Sequence, residues 1–76
     1  MERASDYVII TVVGNSMTCI ENFKSIICYE NDELKINTKK GLVDIKGRNL
    51  NICYYDEEEI LIKGCINSVV FMDGSL

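Results

Sequence analysis

Proline and histidine do not occur in this chain. Without proline there are no Pro-rich linkers and no proline-blocked edge strands. Without histidine, the side chain most often used as a general base and metal ligand is missing. The sequence also holds no glycine-rich phosphate loop and no catalytic constellation, which argues against an enzyme. Basic charge is short as well: 8 Lys and Arg stand against 12 Asp and Glu, for a net charge of −4. Binding phosphates needs a basic stripe that releases counterions, so the balance excludes nucleic acid as a natural partner. It argues equally against an anionic membrane surface. Long apolar runs are lacking too. Tyr7 to Val13 is far short of the about 20 residues that a spanning helix needs. It also lacks the basic start and length of a secretory leader. These absences predict a soluble, cytoplasmic protein with no direct insertion into a membrane, and so with reduced thiols.

What is present fits one small domain. The chain has 76 residues, 47% hydrophobic and 26% charged, which is a globular composition. Residues 1–6 read as a short polar tail and residues 7–76 as a single β-domain. A core of this size supplies roughly 3–5 kcal/mol of net stability. Tyr7 to Val13 is rich in β-branched residues, which suit a pleated strand, and Gly14-Asn15 suits a hairpin turn. Ser16–Glu21, Ser25–Glu30 and Glu33–Thr38 follow as strands, separated by Asn22-Phe23-Lys24 and Asn31-Asp32. Leu42–Lys46 and Leu50–Tyr54 flank a Gly47-Arg48-Asn49 turn, where positive φ is expected and Gly47 is the cheapest place for it. Glu59–Lys63 and Cys65–Met72 complete the set, with Gly64 allowing a bend.

No window sustains a helical period. The expectation is an all-β fold, a small antiparallel β-sandwich of about eight short strands with no significant helix. Alternation assigns the core to Ile20, Ile27, Leu34, Ile36, Val43, Ile45, Leu50, Ile52, Ile60, Ile62, Ile66 and Phe71. A weak internal echo accompanies it: DELKI at 32–36 and EEILI at 58–62 both place acids before an alternating strand. Ile-Lys-Gly recurs at 45–47 and 62–64.

The cysteines, at positions 19, 28, 53 and 65, form no close pair of the kind that structural zinc sites use. They read as buried, inert thiols. A thiol-based metal or redox module using all four is the alternative reading. The acidic run 56–59 lacks the ligand pattern of a calcium loop and reads as a charged hairpin tip. Lys35, Lys39, Lys40, Lys46 and Arg48 concentrate positive charge. Strand lysines of this kind serve solubility and edge protection, and a local basic patch could also meet an acidic protein. Tyr7, Tyr29, Tyr54 and Tyr55 are candidate partner contacts, and adjacent Tyr54 and Tyr55 must face opposite sides. No residue is assigned to catalysis, to a cofactor or to a metal.

With these pieces in place, the chain resembles the YabP/YqfC family of sporulation proteins and is closer to the YqfC side. The resemblance rests on ordered pieces: IITVVGN at 9–15, CIENFKSI at 19–26, Tyr29 and ELKI at 33–36. GLVDIKGRNLNI at 41–52 and EEEILIKGCINSVVF at 57–71 complete it. It implies a small all-β fold and a role in endospore formation in Firmicutes, in the mother-cell compartment, in coat or envelope assembly alongside membrane proteins. It implies no cofactor and no catalytic motif. By the same resemblance, related members often begin with a longer N-terminal segment than the six residues before the first strand here.

The first strand is apolar on both faces, with Val8, Ile10 and Val12 on one and Tyr7, Ile9 and Val13 on the other. One face can enter the core, and the other needs cover. The expected interface is therefore Tyr7, Val8, Ile10, Val12 and Tyr55. The expected partner is a second copy, as a homodimer, or a soluble segment of a sporulation membrane protein.

Overall fold

The computed structural model describes residues 7–73. The expected tail at residues 1–6 lies outside the described residues. The described chain contains no helix. It forms one sheet of six antiparallel strands: β1 (Ile9–Val13), β2 (Met17–Glu21), β3 (Phe23–Tyr29), β4 (Glu33–Thr38), β5 (Gly41–Tyr55) and β6 (Glu59–Asp73). The order across the sheet is β1-β2-β6-β5-β4-β3, so β1 and β3 are its edges.

The all-β expectation holds, and the sandwich of about eight strands gives way to a single sheet. Leu42–Lys46 and Leu50–Tyr54 are halves of β5, and Glu59–Lys63 and Cys65–Met72 are halves of β6. The physical reason lies at residues 47–49, which form a bulge rather than a turn. Arg48 faces Cys65, but the next partners are Asn51 and Lys63, so β5 carries an extra residue there. The backbone groups freed by the bulge find acceptors on the β3–β4 turn. Gly47 N–H donates to the Asp32 carbonyl at 3.1 Å, and Leu50 N–H to the Asn31 carbonyl at 2.8 Å. Asn49 N–H donates to Asn31 Oδ1 at 3.2 Å. The strand need not reverse, because its neighbour satisfies it. Positive φ does occur in this stretch, but on Asn49 (56°) and not on Gly47. The β1–β2 turn serves β6 in the same way: Gly64 N–H donates to Ser16 O and Ile66 N–H to Asn15 O.

Among the described residues no helix covers this sheet, yet Ile20, Leu34, Ile36, Val43, Ile45, Ile60 and Ile62 are fully buried. A flat sheet cannot bury one of its own faces. The sheet therefore curls at the bends of β5 and β6 and encloses its inner face. Those residues, with Leu50 and Ile66, form one core cluster, every member of which alternation assigns correctly. Ile52 packs against it, partly buried.

Two expected core residues lie elsewhere. Ile27 is 57% exposed. In β3, Ile26 faces Ile36 and Cys28 faces Lys35, so Ile27 is the unpaired residue of a bulge. The bulge turns Ile26 onto the core instead. Phe71 is opposite Val43 but near the end of β6, and it is 43% exposed. Lys35 and Lys46 sit on internal strands, so they do not guard an edge.

One core position is polar. Thr18 is fully buried and its hydroxyl has no hydrogen-bond partner among the described residues. Thr18→Val keeps the shape and removes the stranded hydroxyl. We expect it to raise stability by about 1 kcal/mol, since an unmatched buried polar group costs roughly that or more. The urea midpoint reports it, and a lower midpoint would mean that the hydroxyl is satisfied in solution.

Candidate interaction surface

Among the described residues, curling leaves two open seams where distant parts of the sheet approach. The first is a cleft of about 300 Å³ lined by Tyr7, Val8, Ile10, Lys40, Phe71 and Asp73. Three of the expected interface residues, Tyr7, Val8 and Ile10, meet here. Val8 and Ile10 already pack against the core from the inner side. Val12 belongs to the same strand face but remains half-exposed. Tyr55 does not join them.

Tyr55 lies on the second seam, between the β3 edge and the far end of β5. Two adjoining clefts, about 460 and 610 Å³, share Ile26 and Tyr55. Phe23 borders the first, and Tyr29, Ile52 and Tyr54 the second. The sequence reading missed Phe23 and Ile26 as walls of this groove. Two register breaks in β3 place them, and nothing in an alternating pattern signals a bulge. Tyr54 and Tyr55 face Leu61 and Ile60 across the ladder, so they occupy successive positions, and both are exposed.

Hydrogen bonds make the groove rigid. Tyr29 O–H donates to Asn51 Oδ1 at 3.2 Å and accepts from Ile52 N–H at 3.0 Å, tying β3 to β5. Tyr54 O–H donates to Asp56 Oδ2 at 2.7 Å, which pushes the phenol above its ordinary range. Asp56 Oδ1 accepts from Glu58 N–H at 2.8 Å and Glu59 N–H at 2.9 Å. These donors, the Glu58 amide first, hold the Asp56 carboxyl below its usual range. The acidic run is therefore an ordered hairpin tip at the end of the aromatic groove.

The four cysteines are free and lie on four different strands. Among the described residues, only Cys19 joins a group of potential metal donors, with Glu21 and Glu59. Its thiol donates to Glu59 Oε1 at 3.8 Å. Burial and then the charges of Glu59 and Glu21 push this thiol up, away from the reactive thiolate. Burial and then Glu30 and Glu33 do the same to Cys28. The reading of one metal or redox site built from all four cysteines has no support in this arrangement.

On the outer face, Asp44 raises the Glu33 carboxyl above its ordinary value, first by accepting a hydrogen bond from protonated Glu33, with burial and the Asp44 charge adding to it. Asp44 is itself buried. A raised folded-state value means that the folded chain holds this proton more tightly than the unfolded chain. Glu33's contribution is thus fully present below its unfolded value and is lost as pH rises through the folded one. Glu33→Gln keeps a donor without the charge. It should raise the melting temperature at pH 7 and give no gain at pH 3.5, as thermal scans at both values will show.

Among the described residues, the geometry defines a small all-β protein with apolar seams and a first strand that is paired on one side only. The chain belongs to the YabP family, whose model matches residues 5–75. It is similar to the uncharacterized protein YqfC of Bacillus subtilis (strain 168), at 33% identity over 65 residues, 86% of this chain and 70% of that protein. No solved structure matches it.

Proposed function

We propose that this chain is a non-catalytic sporulation protein that acts by protein–protein contact in coat or envelope assembly. The observation that carries the contact mechanism is the aromatic seam. Tyr29, Tyr54 and Tyr55 stay exposed beside Phe23, Ile26 and Ile52 on a groove held by its own hydrogen bonds. A single soluble domain keeps such patches small, and a larger one marks a binding surface. Tyrosine suits the role because its ring buries apolar area while its hydroxyl stays paired. Membership of the family supports the sporulation setting. The mother-cell cytoplasm is the compartment that this reading assigns. The soluble segment of a sporulation membrane protein is the partner it favours.

Capture from sporulating cells of the native host tests this reading. The bait is the tagged chain, beside a folded Tyr54→Ser/Tyr55→Ser variant. The expected result is a discrete set of proteins held by the wild type and lost from the variant. Identical captures from both would remove the seam from the mechanism.

A further inference from the structure

The two edges of the sheet are built differently. β3 is broken by register shifts at two places and carries Lys24, features that discourage a foreign strand. β1 has neither. Its residues, Ile-Ile-Thr-Val-Val, pair with β2 in unbroken register from Ile9–Glu21 to Val13–Met17, and no other strand of the sheet pairs with it. Ile9, Val12 and Val13 remain nearly half exposed. A regular, apolar, uncharged edge invites strand pairing.

We propose that β1 pairs antiparallel with β1 of a second copy, about a two-fold axis at Thr11, so that the two sheets become one. The inference rests on the contact reading above and names one of its partners. Three observations select a second copy as the occupant. The strand is self-complementary: an axis at Thr11 sets Ile10 against the partner's Val12 and Ile9 against the partner's Val13. Every pair is β-branched, which favours cross-strand packing. The faces also match, because Ile10 and Val12 lie on the side of Ile20 and Thr18 in both copies, and the inner face continues across the axis. Finally, the chain carries −4 overall, yet no Asp, Glu, Lys or Arg occurs from Tyr7 to Ile20. Two acidic copies thus meet at a stretch where no like charges oppose one another.

The axis makes a specific test, because it sets each Thr11 opposite its own copy. Thr11 is exposed, so Thr11→Lys and Thr11→Glu leave the core alone. Ile10→Lys is unsuitable, since Ile10 packs against the core. The readout is mass by sedimentation velocity at about 100 μM, within the range where micromolar affinity is easily seen. Wild type should have twice the 8.6 kDa chain mass. Each charged variant alone should be monomeric, with affinity lowered at least about tenfold by the like charges on the axis. An equimolar mixture of the two variants should form a heterodimer. A monomeric wild type overturns the proposal but leaves the aromatic seam and its capture experiment untouched. So does a charged variant that still dimerises, or a mixture that does not recombine. Should the variants fail to fold, hydrogen exchange decides. Amides of Ile9–Val13 in the wild type should gain protection as concentration rises, and concentration-independent exchange overturns the dimer.

Discussion

Gly47→Val should leave no folded protein at 25 °C. A Cβ at this position would lie 2.0 Å from the Cys65 carbonyl oxygen and 3.0 Å from Ile66 Cα. Both are backbone atoms of the neighbouring strand, so no side chain can swing aside. Ordinary overpacking costs about 1–3 kcal/mol, and a backbone collision this close exceeds it. The domain has roughly 3–5 kcal/mol to lose. A second substitution separates this reason from the one that a turn would supply. Where glycine serves positive φ, asparagine is a fair substitute. Where glycine serves close approach, asparagine carries the same offending Cβ. Gly47→Asn should therefore unfold the chain as well, by far-ultraviolet circular dichroism and urea titration. A Gly47→Asn variant with a near-native midpoint would return the residue to the turn reading.

Ile62→Ala should cost about 2–5 kcal/mol, enough to remove most of the stability of so small a domain. Ile62 is fully buried and faces Thr18 on one side and Ile52 on the other. The loss combines lost transfer energy with a cavity that three strands keep from collapsing. Ile62→Val should cost only about 0.5–1.5 kcal/mol. Ile27→Ala is the matching control. Alternation makes Ile27 a core residue, whereas the bulge exposes it, so the change should stay within about 0.5 kcal/mol. Urea midpoints order the three variants. Equal losses for Ile27→Ala and Ile62→Ala would contradict the bulge in β3.

The sequence carried the core almost whole, because burial of one face repeats every second residue and Leu34-Lys35-Ile36 shows it directly. It also carried the strand content and the hairpin turns at Gly14-Asn15 and Asn31-Asp32. Bulges defeated it. One extra residue shifts the faces, as at Ile27, and turns a continuous strand into an apparent pair, as at Gly47 to Asn49. Whether a glycine ends a strand or bends it depends on acceptors that another loop supplies, here the Asn31 and Asp32 carbonyls. The echo of Ile-Lys-Gly at 45–47 and 62–64 has a physical basis in this light. Gly47 and Gly64 each stand at a bend onto which a hairpin turn docks. Of the expected interface, Tyr7, Val8 and Ile10 converge because they are near neighbours on the segment that enters β1. Tyr55 falls on a different seam, since the curl of the sheet places it there and no local pattern encodes the curl.

Under the proposed function, a folded surface rather than a reactive group acts in spore formation. The titre of heat-resistant spores tests it most directly, in the native host lacking this gene and complemented in turn. The account predicts a reduced titre without the gene and full recovery with the wild-type chain. It predicts no recovery with Tyr54→Ser/Tyr55→Ser, produced at the wild-type level and equally stable when purified. Full recovery with that variant, or an undiminished titre without the gene, would contradict the account.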